Sequence, residues 1–155
     1  MSKFLCICLS STIQRTVNFK KLSLEGVNRS ESYILDASGK AVNSARVLNQ
    51  LEPGCVSIIC PLGKENKNDF LELAQKDELD VLAVEIPGKT RECWTLLDRS
   101  YGTTTELVVG EPVLSEDYKI SEEVLLSLIG KKLPEFDGVI LAGSCPDYFS
   151  PGLQA

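Results

Sequence analysis

The sequence predicts an α/β fold, because helix-like and strand-like segments alternate through the middle of the chain. A helix is predicted from Lys40 to about Leu51, a strand over Cys55–Cys60, a second helix over Asp69–Lys76 and a further strand over Val81–Ile86. The continuous apolar run Cys55–Cys60 is typical of a strand covered on both faces in a parallel sheet. Segments in this order form right-handed crossover units. We therefore expect a mostly parallel sheet flanked by helices.

The first strand is predicted over Lys3–Cys8, a short apolar run of β-compatible residues. The residues that follow it, from Leu9 to Gln14, are predicted to form a loop. In open α/β sheets, the loops at the carboxyl ends of the strands form the ligand crevice. Gln14 and its neighbours Ser10 and Ser11 are therefore placed near any site, although they could equally be ordinary loop residues.

An alternation of apolar and polar residues predicts a small β lid. Within 15–22, the apolar Val17 and Phe19 alternate with polar residues, which indicates one covered face and one face in water. A strand pair that stands off the main sheet is not stable alone, so its apolar face needs a ligand, a neighbouring sheet or a second subunit. We expect the lid to consist of about 15–22, 31–36 and 91–109.

The turn before the first predicted helix has the features of an anion-binding site. Ser38 and Gly39 allow a sharp turn and Lys40 follows at once, so the helix begins with unpaired N–H groups, a positive dipole end and a full charge. Asn43 lies one turn further along. An ordinary helix start is the alternative that this stretch leaves open. A phosphate P-loop is excluded, because Ala41 stands where its Ser or Thr would hold magnesium.

The last third of the chain predicts one more helix and one more strand. Ser121 is predicted to cap a helix that ends at Gly130. The apolar stripe of this helix consists of Val124, Leu125, Leu128 and Ile129. A buried strand is predicted over Gly138–Ala142, and the loop Gly143–Pro146 that follows it would enter the ligand crevice.

Composition and charge exclude several classes of function. The 155 residues carry a net charge of −6 but no histidine, which excludes Ser-His-Asp and Cys-His catalysis and His-ligated metal sites. Residues 1–50 have a net charge of +4 and the remainder −10, which fits a small anionic ligand better than nucleic acid; a chance distribution of solvated charges is equally consistent. The apolar run at 4–9 is too short for a membrane span or signal peptide. We expect a cytoplasmic protein without nucleic-acid or membrane partners.

The six cysteines lack Cys-x-x-Cys spacing and lie mostly in apolar runs. This pattern is typical of buried thiols in a reducing compartment and predicts no metal site.

Five motifs in order along the chain resemble those of the PfkB family of sugar kinases, which have the ribokinase-like fold. They are Val27–Arg29 (Val-Asn-Arg), Ala37–Leu48 (Ala-Ser-Gly-Lys-Ala-Val-Asn-Ser-Ala-Arg-Val-Leu), Thr90-Arg91, Thr105-Glu106 with Pro112, and Gly143–Pro146 (Gly-Ser-Cys-Pro). The chain most closely resembles the 1-phosphofructokinase and tagatose-6-phosphate kinase branch. The resemblance covers essentially the whole chain but only the N-terminal half of the family's sequence.

The resemblance implies a site for a sugar phosphate, with the basic residues Arg29, Lys40 and Arg91 at the phosphate. The substrate-binding residues that it implies are Gln14, Arg29, Ser38, Gly39, Lys40, Asn43, Arg91 and Ser144. It also implies ATP and magnesium for a complete enzyme, neither of them bound by this chain alone, and a homodimer joined through the β lid.

Three departures from the family pattern weaken the implied activity. Gln14 stands where the family has an aspartate that accepts hydrogen bonds from sugar hydroxyls, and an amide keeps an acceptor but loses the charge. Ser38 and Ala41 replace glycines, which adds side chains where the backbone approaches the ligand. The sequence also lacks the family's Gly-Ala-Gly-Asp loop, which supplies the catalytic base and anion hole, and its nucleotide site.

Residues 1–155 are therefore predicted to be the substrate-binding half of an ATP-dependent kinase for fructose 1-phosphate, fructose 6-phosphate or tagatose 6-phosphate. The nucleotide-binding and catalytic half is absent, so no catalytic residue is expected here and the chain alone should be inactive. The alternative is a non-catalytic phospho-sugar-binding or dimerisation module derived from such a kinase. A generic nucleotide-binding domain ranks last, because no Gly-x-Gly-x-x-Gly follows the first strand.

Overall fold

The computed structural model describes residues 2–30, 32–110, 117–150 and 152–153. Pro112, part of one of the motifs above, lies outside them. The elements in chain order are β1 (Phe4–Ile7), β2 (Thr12–Phe19), β3 (Tyr33–Ser38), α1 (Lys40–Leu51), β4 (Val56–Gly63), α2 (Lys67–Lys76), β5 (Asp80–Ile86), β6 (Glu92–Asp98), β7 (Thr103–Val109), α3 (Asp117–Lys132), a 3-10 turn (Leu133–Glu135) and β8 (Gly138–Leu141).

The strands form two four-stranded sheets. The main sheet has the order β5-β4-β1-β8, and all of its strand pairs are parallel. Helices lie between its successive strands, which is why the strands run parallel. This arrangement confirms the predicted α/β fold with a mostly parallel sheet flanked by helices.

Helices cover both faces of the main sheet. Successive residues of a strand point to opposite faces, so Leu5 and Ile7 of β1 pack with α3, whereas Cys6 and Cys8 pack with α1 and α2. Fully buried side chains such as Leu5 and Phe70 each contribute about 1.5–3 kcal/mol to the free energy of unfolding. The apolar runs in the sequence therefore supply the two hydrophobic layers that lie between the main sheet and the helices on each face.

The second sheet has the order β3-β2-β6-β7, with β2 and β6 parallel and the two outer pairs antiparallel. Its strands come from the three segments predicted to form a lid; that they act as a lid stays a prediction. Among the helices of the described segments, none is both long and apolar enough to cross a membrane.

Two local predictions are wrong. Residues 12–14 belong to β2 and not to a loop, because Thr12 and Ile13 pair with β3 and also bond the Arg91 carbonyl oxygen. In α3, Ser121 is not a cap: it lies inside the helix, where its hydroxyl donates a hydrogen bond to the Glu85 carbonyl oxygen at 3.0 Å.

The predicted end and stripe of α3 also differ from the structure. The helix continues through Gly130 to Lys132, because a glycine at an exposed position costs a helix only about 1 kcal/mol. Val124 is exposed, whereas Leu125 is buried and Leu128 and Ile129 pack against its cluster.

Candidate functional site

Three loops meet around Ser10, which follows β1. The Arg91 guanidinium donates a hydrogen bond to the Ser10 carbonyl oxygen at 3.4 Å, and the Ser144 hydroxyl donates to the Ser10 hydroxyl at 3.3 Å. A Cβ placed on Gly143 would lie 3.1 Å from the Ser10 hydroxyl oxygen and 4.0 Å from the Cβ of Lys40. The loops before α1, before β6 and after β8 therefore converge at the carboxyl end of β1, where open α/β sheets bind ligands.

Gly39 allows α1 to begin directly over this point. Its φ of 135° and ψ of 151° lie in a region that is essentially confined to glycine. A Cβ at position 39 would lie 2.5 Å from the Cys8 sulfur. The helix start has neither a side-chain cap nor an acidic residue in its first turn. Its first N–H groups thus remain available to an anion.

Lys40 is the cationic residue at this helix start. Its side chain is exposed, and the ion pairs found within the described segments do not include it. Arg91, which bonds the Ser10 carbonyl oxygen, adds a second positive charge near this point. Two cations beside uncapped N–H groups make this part of the site suited to a phosphate or carboxylate.

A network of polar side chains, most of them neutral, lies beside the helix start. The Ser38 hydroxyl donates to Gln14 Oε1 at 2.8 Å and lies 3.3 Å from Asn43 Oδ1, while Gln14 Nε2 donates to Thr95 Oγ1 at 3.0 Å. Arg46 donates to Asn43 Oδ1 at 2.7 Å and to the carboxylate of Asp77 at 2.8 Å. These bonds tie β2, β3, β6 and α1 together.

Burial raises the pKa of two cysteine thiols in the core beneath the site. Desolvation by burial, reinforced by the neighbouring Cys8, raises the pKa of Cys60 to about 12, although a hydrogen bond with Ser11 opposes the shift. Burial is also the main cause that raises the pKa of Cys6 to about 11. All six cysteines are unpaired and four are buried. Because their pKa values are raised, Cys6 and Cys60 stay protonated at neutral pH and serve as small core residues and not as nucleophiles.

The enclosed space at this point is small. A cavity of about 10 Å³ lies among Ser10, Arg91, Pro146 and Tyr148, which is room for one water. A larger ligand would have to lie on the open side of the helix start. Within the described ranges, no group of three or more Cys, Asp or Glu residues is placed to hold a metal ion.

The profile of the pfkB family carbohydrate kinases matches residues 3–151. The chain belongs to this family. The predicted resemblance is therefore confirmed.

Individual pfkB relatives and solved structures agree with this result. A 1-phosphofructokinase from Vibrio cholerae is 28% identical over 149 residues, which are 96% of this chain and 45% of that protein. The structure of a possible 1-phosphofructokinase from Thermotoga maritima aligns with a TM-score of 0.85 at 19% identity, over 98% of this chain and 48% of the other. The structure of phosphofructokinase-2 from Escherichia coli in complex with fructose-6-phosphate aligns with a TM-score of 0.79 at 18% identity, over 99% of this chain and 49% of the other.

The more distant ribokinase of Giardia lamblia also shares the fold, with a TM-score of 0.71 at 15% identity over 99% of this chain and 47% of the other. The ribokinase-like fold is thus confirmed. The chain spans about half the length of the relatives that it matches.

The structure brings seven of the eight predicted site residues of this pfkB chain together. Gln14, Ser38 and Asn43 form the polar network, and Gly39 and Lys40 form the helix start. The other two, Arg91 and Ser144, reach the site through Ser10.

Arg29 lies apart from the other seven. It lines a cleft of about 340 Å³ at the far end of β2, where the neighbouring residues include Asn18, Lys20 and Arg99. At about 3.3 Å per residue, Asn18 is some 13 Å along β2 from Gln14. A phosphate contact from Arg29 at the helix start therefore stays a prediction from the resemblance alone.

Sequence reasoning missed two residues of the site, Arg46 and Thr95, and gave a third, Ser10, no specific role. Ser10 was placed near any site only as a loop residue, yet it joins the loops. Arg46 could have been found from its position three residues after Asn43 on one helix face. Thr95 carries no signal in the sequence, because its contact with Gln14 depends on how β6 aligns with β2.

Proposed function

We propose that this chain is the substrate-binding half of an ATP-dependent kinase that phosphorylates a sugar phosphate of the fructose 1-phosphate, fructose 6-phosphate or tagatose 6-phosphate class. The observation that carries the proposal is the convergence of Lys40 and Arg91 on the uncapped start of α1, beside Ser10. Cations and helix N–H groups would hold the phosphate, and neutral groups of Gly39, Asn43 and Ser144 would face the sugar.

Family membership and the share of the relatives that is matched support the remaining parts of the proposal. ATP and magnesium would be used by a complete enzyme. Among the residues that the structure describes, no group of three or more Cys, Asp or Glu side chains is placed to hold the magnesium. Phosphoryl transfer needs positioned nucleotide phosphates and a base beside the acceptor hydroxyl. We propose that residues 1–155 alone lack both and are inactive, and that the protein is cytoplasmic.

Calorimetric titration with fructose 6-phosphate and fructose 1-phosphate tests the binding role. Lys40→Ala removes one charge-assisted contact, so we expect affinity to fall about tenfold to a hundredfold. Lys119→Ala, an exposed lysine on α3, is the matched control and should bind as the wild type does. Equal affinities for wild type and Lys40→Ala would contradict the assignment of the phosphate to the helix start. In a separate assay with ATP and magnesium, turnover by the wild-type chain would contradict its proposed inactivity.

We propose as a second candidate a non-catalytic phospho-sugar-binding or dimerisation module, because one face of the second sheet exposes several large apolar side chains. The exposed Trp94, Leu107 and Val109 share this face with Tyr33, and the Arg15 guanidinium lies 4.4 Å from the Tyr33 ring centroid. A second copy of the chain would cover these side chains, which is the homodimer that the resemblance implies.

Light scattering tests the proposed dimer. Leu107→Lys places a charge on this apolar face and should shift the chain to a monomer. Val108→Lys is the matched control, since Val108 is equally exposed on the opposite face of the same strand. A wild-type chain that stays monomeric at high concentration, or a control that dissociates as readily, would contradict the dimer.

A further inference from the structure

Gln14 and Ser38 are hydrogen-bonded to each other, although each was expected to contact a ligand separately. In the β2–β3 register Thr12 pairs with Ser38 and Gln14 with Asp36, which puts Gln14 and Ser38 diagonally on one face of the sheet. The bond from the Ser38 hydroxyl to Gln14 Oε1 is 2.8 Å long. Ser38 is 3% exposed, so water competes little for this bond.

Both ends of the Gln14 amide are engaged by the protein. Its oxygen accepts from Ser38 and its nitrogen donates to Thr95, which is also buried. The neighbouring Asn43 oxygen accepts from Arg46. Neutral amides and hydroxyls are the groups that would exchange hydrogen bonds with sugar hydroxyls, and here they bond to one another. A sugar hydroxyl would find only the second N–H and the second oxygen lone pair of Gln14 still open, so it would gain fewer hydrogen bonds than from an amide without protein partners.

Lys40, on the cationic side of the site, is not closed off in this way. Lys40 is exposed and unpaired with the carboxylates described, and the first N–H groups of α1 carry no side-chain cap. A phosphate could therefore bind without displacing a protein–protein hydrogen bond at Lys40. The two sides of one site thus differ in how much a ligand gains from them.

We propose that Gln14 and Ser38 form a specificity-determining pair that engages part of the sugar side of the site, so that the phosphate group contributes more to ligand selection than the sugar hydroxyls that Asn43 and Ser144 would face. This inference rests on the proposed function, since it concerns the same site. The ligand class is a phosphate monoester with a small alcohol portion, of which a sugar phosphate is one member.

The test compares fructose 6-phosphate with methyl phosphate, a phosphate monoester without hydroxyl groups, by calorimetry. The wild-type chain should bind the two ligands within about threefold of each other. Ser38→Ala frees the Gln14 oxygen for a sugar hydroxyl, so the preference for fructose 6-phosphate should rise about threefold to tenfold. Thr95→Val frees the Gln14 nitrogen and should shift the preference in the same direction. Ser44→Ala is the control, because the Ser44 hydroxyl bonds only the Lys40 carbonyl oxygen within α1.

The titrations distinguish a failure of the role given to Gln14 and Ser38 from a failure of the proposed function. A wild-type chain that binds methyl phosphate but prefers fructose 6-phosphate tenfold or more refutes the pair's role and leaves the proposed function standing. An unchanged preference in both Ser38→Ala and Thr95→Val does the same. If methyl phosphate and fructose 6-phosphate both fail to bind the wild-type chain, the proposed phosphate site is wrong and the selectivity falls with it.

Discussion

The start of α1 should tolerate no side chain at position 39. Gly39→Ala forces alanine into a backbone conformation that costs about 1–3 kcal/mol. The new Cβ would also lie 2.5 Å from the Cys8 sulfur, in a core where overpacking costs about 1–3 kcal/mol. Together these terms predict a loss of about 2–6 kcal/mol in the free energy of unfolding, which is a large part of the ~5–15 kcal/mol typical of a domain.

Urea unfolding followed by circular dichroism measures this loss, and Gly54→Ala separates its two causes. Gly54 also has a positive φ, of 79°, but no atom lies within 4 Å of a Cβ placed there. Its substitution should therefore cost only the backbone term, about 1–2 kcal/mol. If Gly39→Ala destabilises the chain no more than Gly54→Ala does, the contact with Cys8 has no energetic consequence and the argument is wrong.

A double variant isolates the steric term. Cys8→Ala removes the sulfur, so Gly39→Ala should cost about 1–3 kcal/mol less in that background than in the wild type. The next atoms, the Ser10 carbonyl oxygen at 3.4 Å and the Ser11 Cα at 3.5 Å, are at ordinary contact distance. Strictly additive effects of the two substitutions would show that the sulfur is not the obstacle.

Three further predictions concern the surroundings of the site. Arg46→Met should lower the free energy of unfolding by about 1–3 kcal/mol in urea, because it breaks the bond to Asp77; Lys132→Met, on an exposed pair, should change it by less than about 1 kcal/mol. Thr90→Val should cost about 1–3 kcal/mol by leaving the buried Gly63 N–H without its acceptor, whereas Thr90→Ser should retain most of the stability. The free energy of unfolding should fall as the pH rises from 8 to 11, because the Cys6 and Cys60 thiols ionise in the unfolded chain at lower pH than in the folded one. The urea midpoint measured across this range should decline less steeply when both cysteines are replaced by alanine.

Hydrophobic patterns in the sequence predicted the strands of the main sheet and the helices between them. The helix over 40–51 and the apolar run at 55–60 appear as α1 and the first part of β4, because each pattern reflects a face that must be buried. The ends of the helices and strands were harder to predict from the sequence. Ser121 has the chemistry of a helix cap, but the carbonyl of Glu85, on another element, decides where its hydroxyl bonds.

The candidate site divides in the same way. The helix start at Gly39 and Lys40 is readable from neighbouring residues, because a turn and a charge lie side by side in the chain. The approach of Arg91 and Ser144 to Ser10 is not, since these residues are 81 and 134 positions away from it. Family motifs supplied those two residues, but they could not reveal that Gln14 bonds Ser38 and Thr95.

The sequence alone therefore determined the fold class, the family and the turn with its charge at the start of α1, because these depend on periodicity, composition and local motifs. Only the tertiary structure decided that Arg29 lies apart from the other site residues and that the neutral groups of the site bond one another. Those outcomes depend on strand register and on loops that meet across long stretches of chain, where a hydrogen bond forms only if two distant elements pack at the right distance.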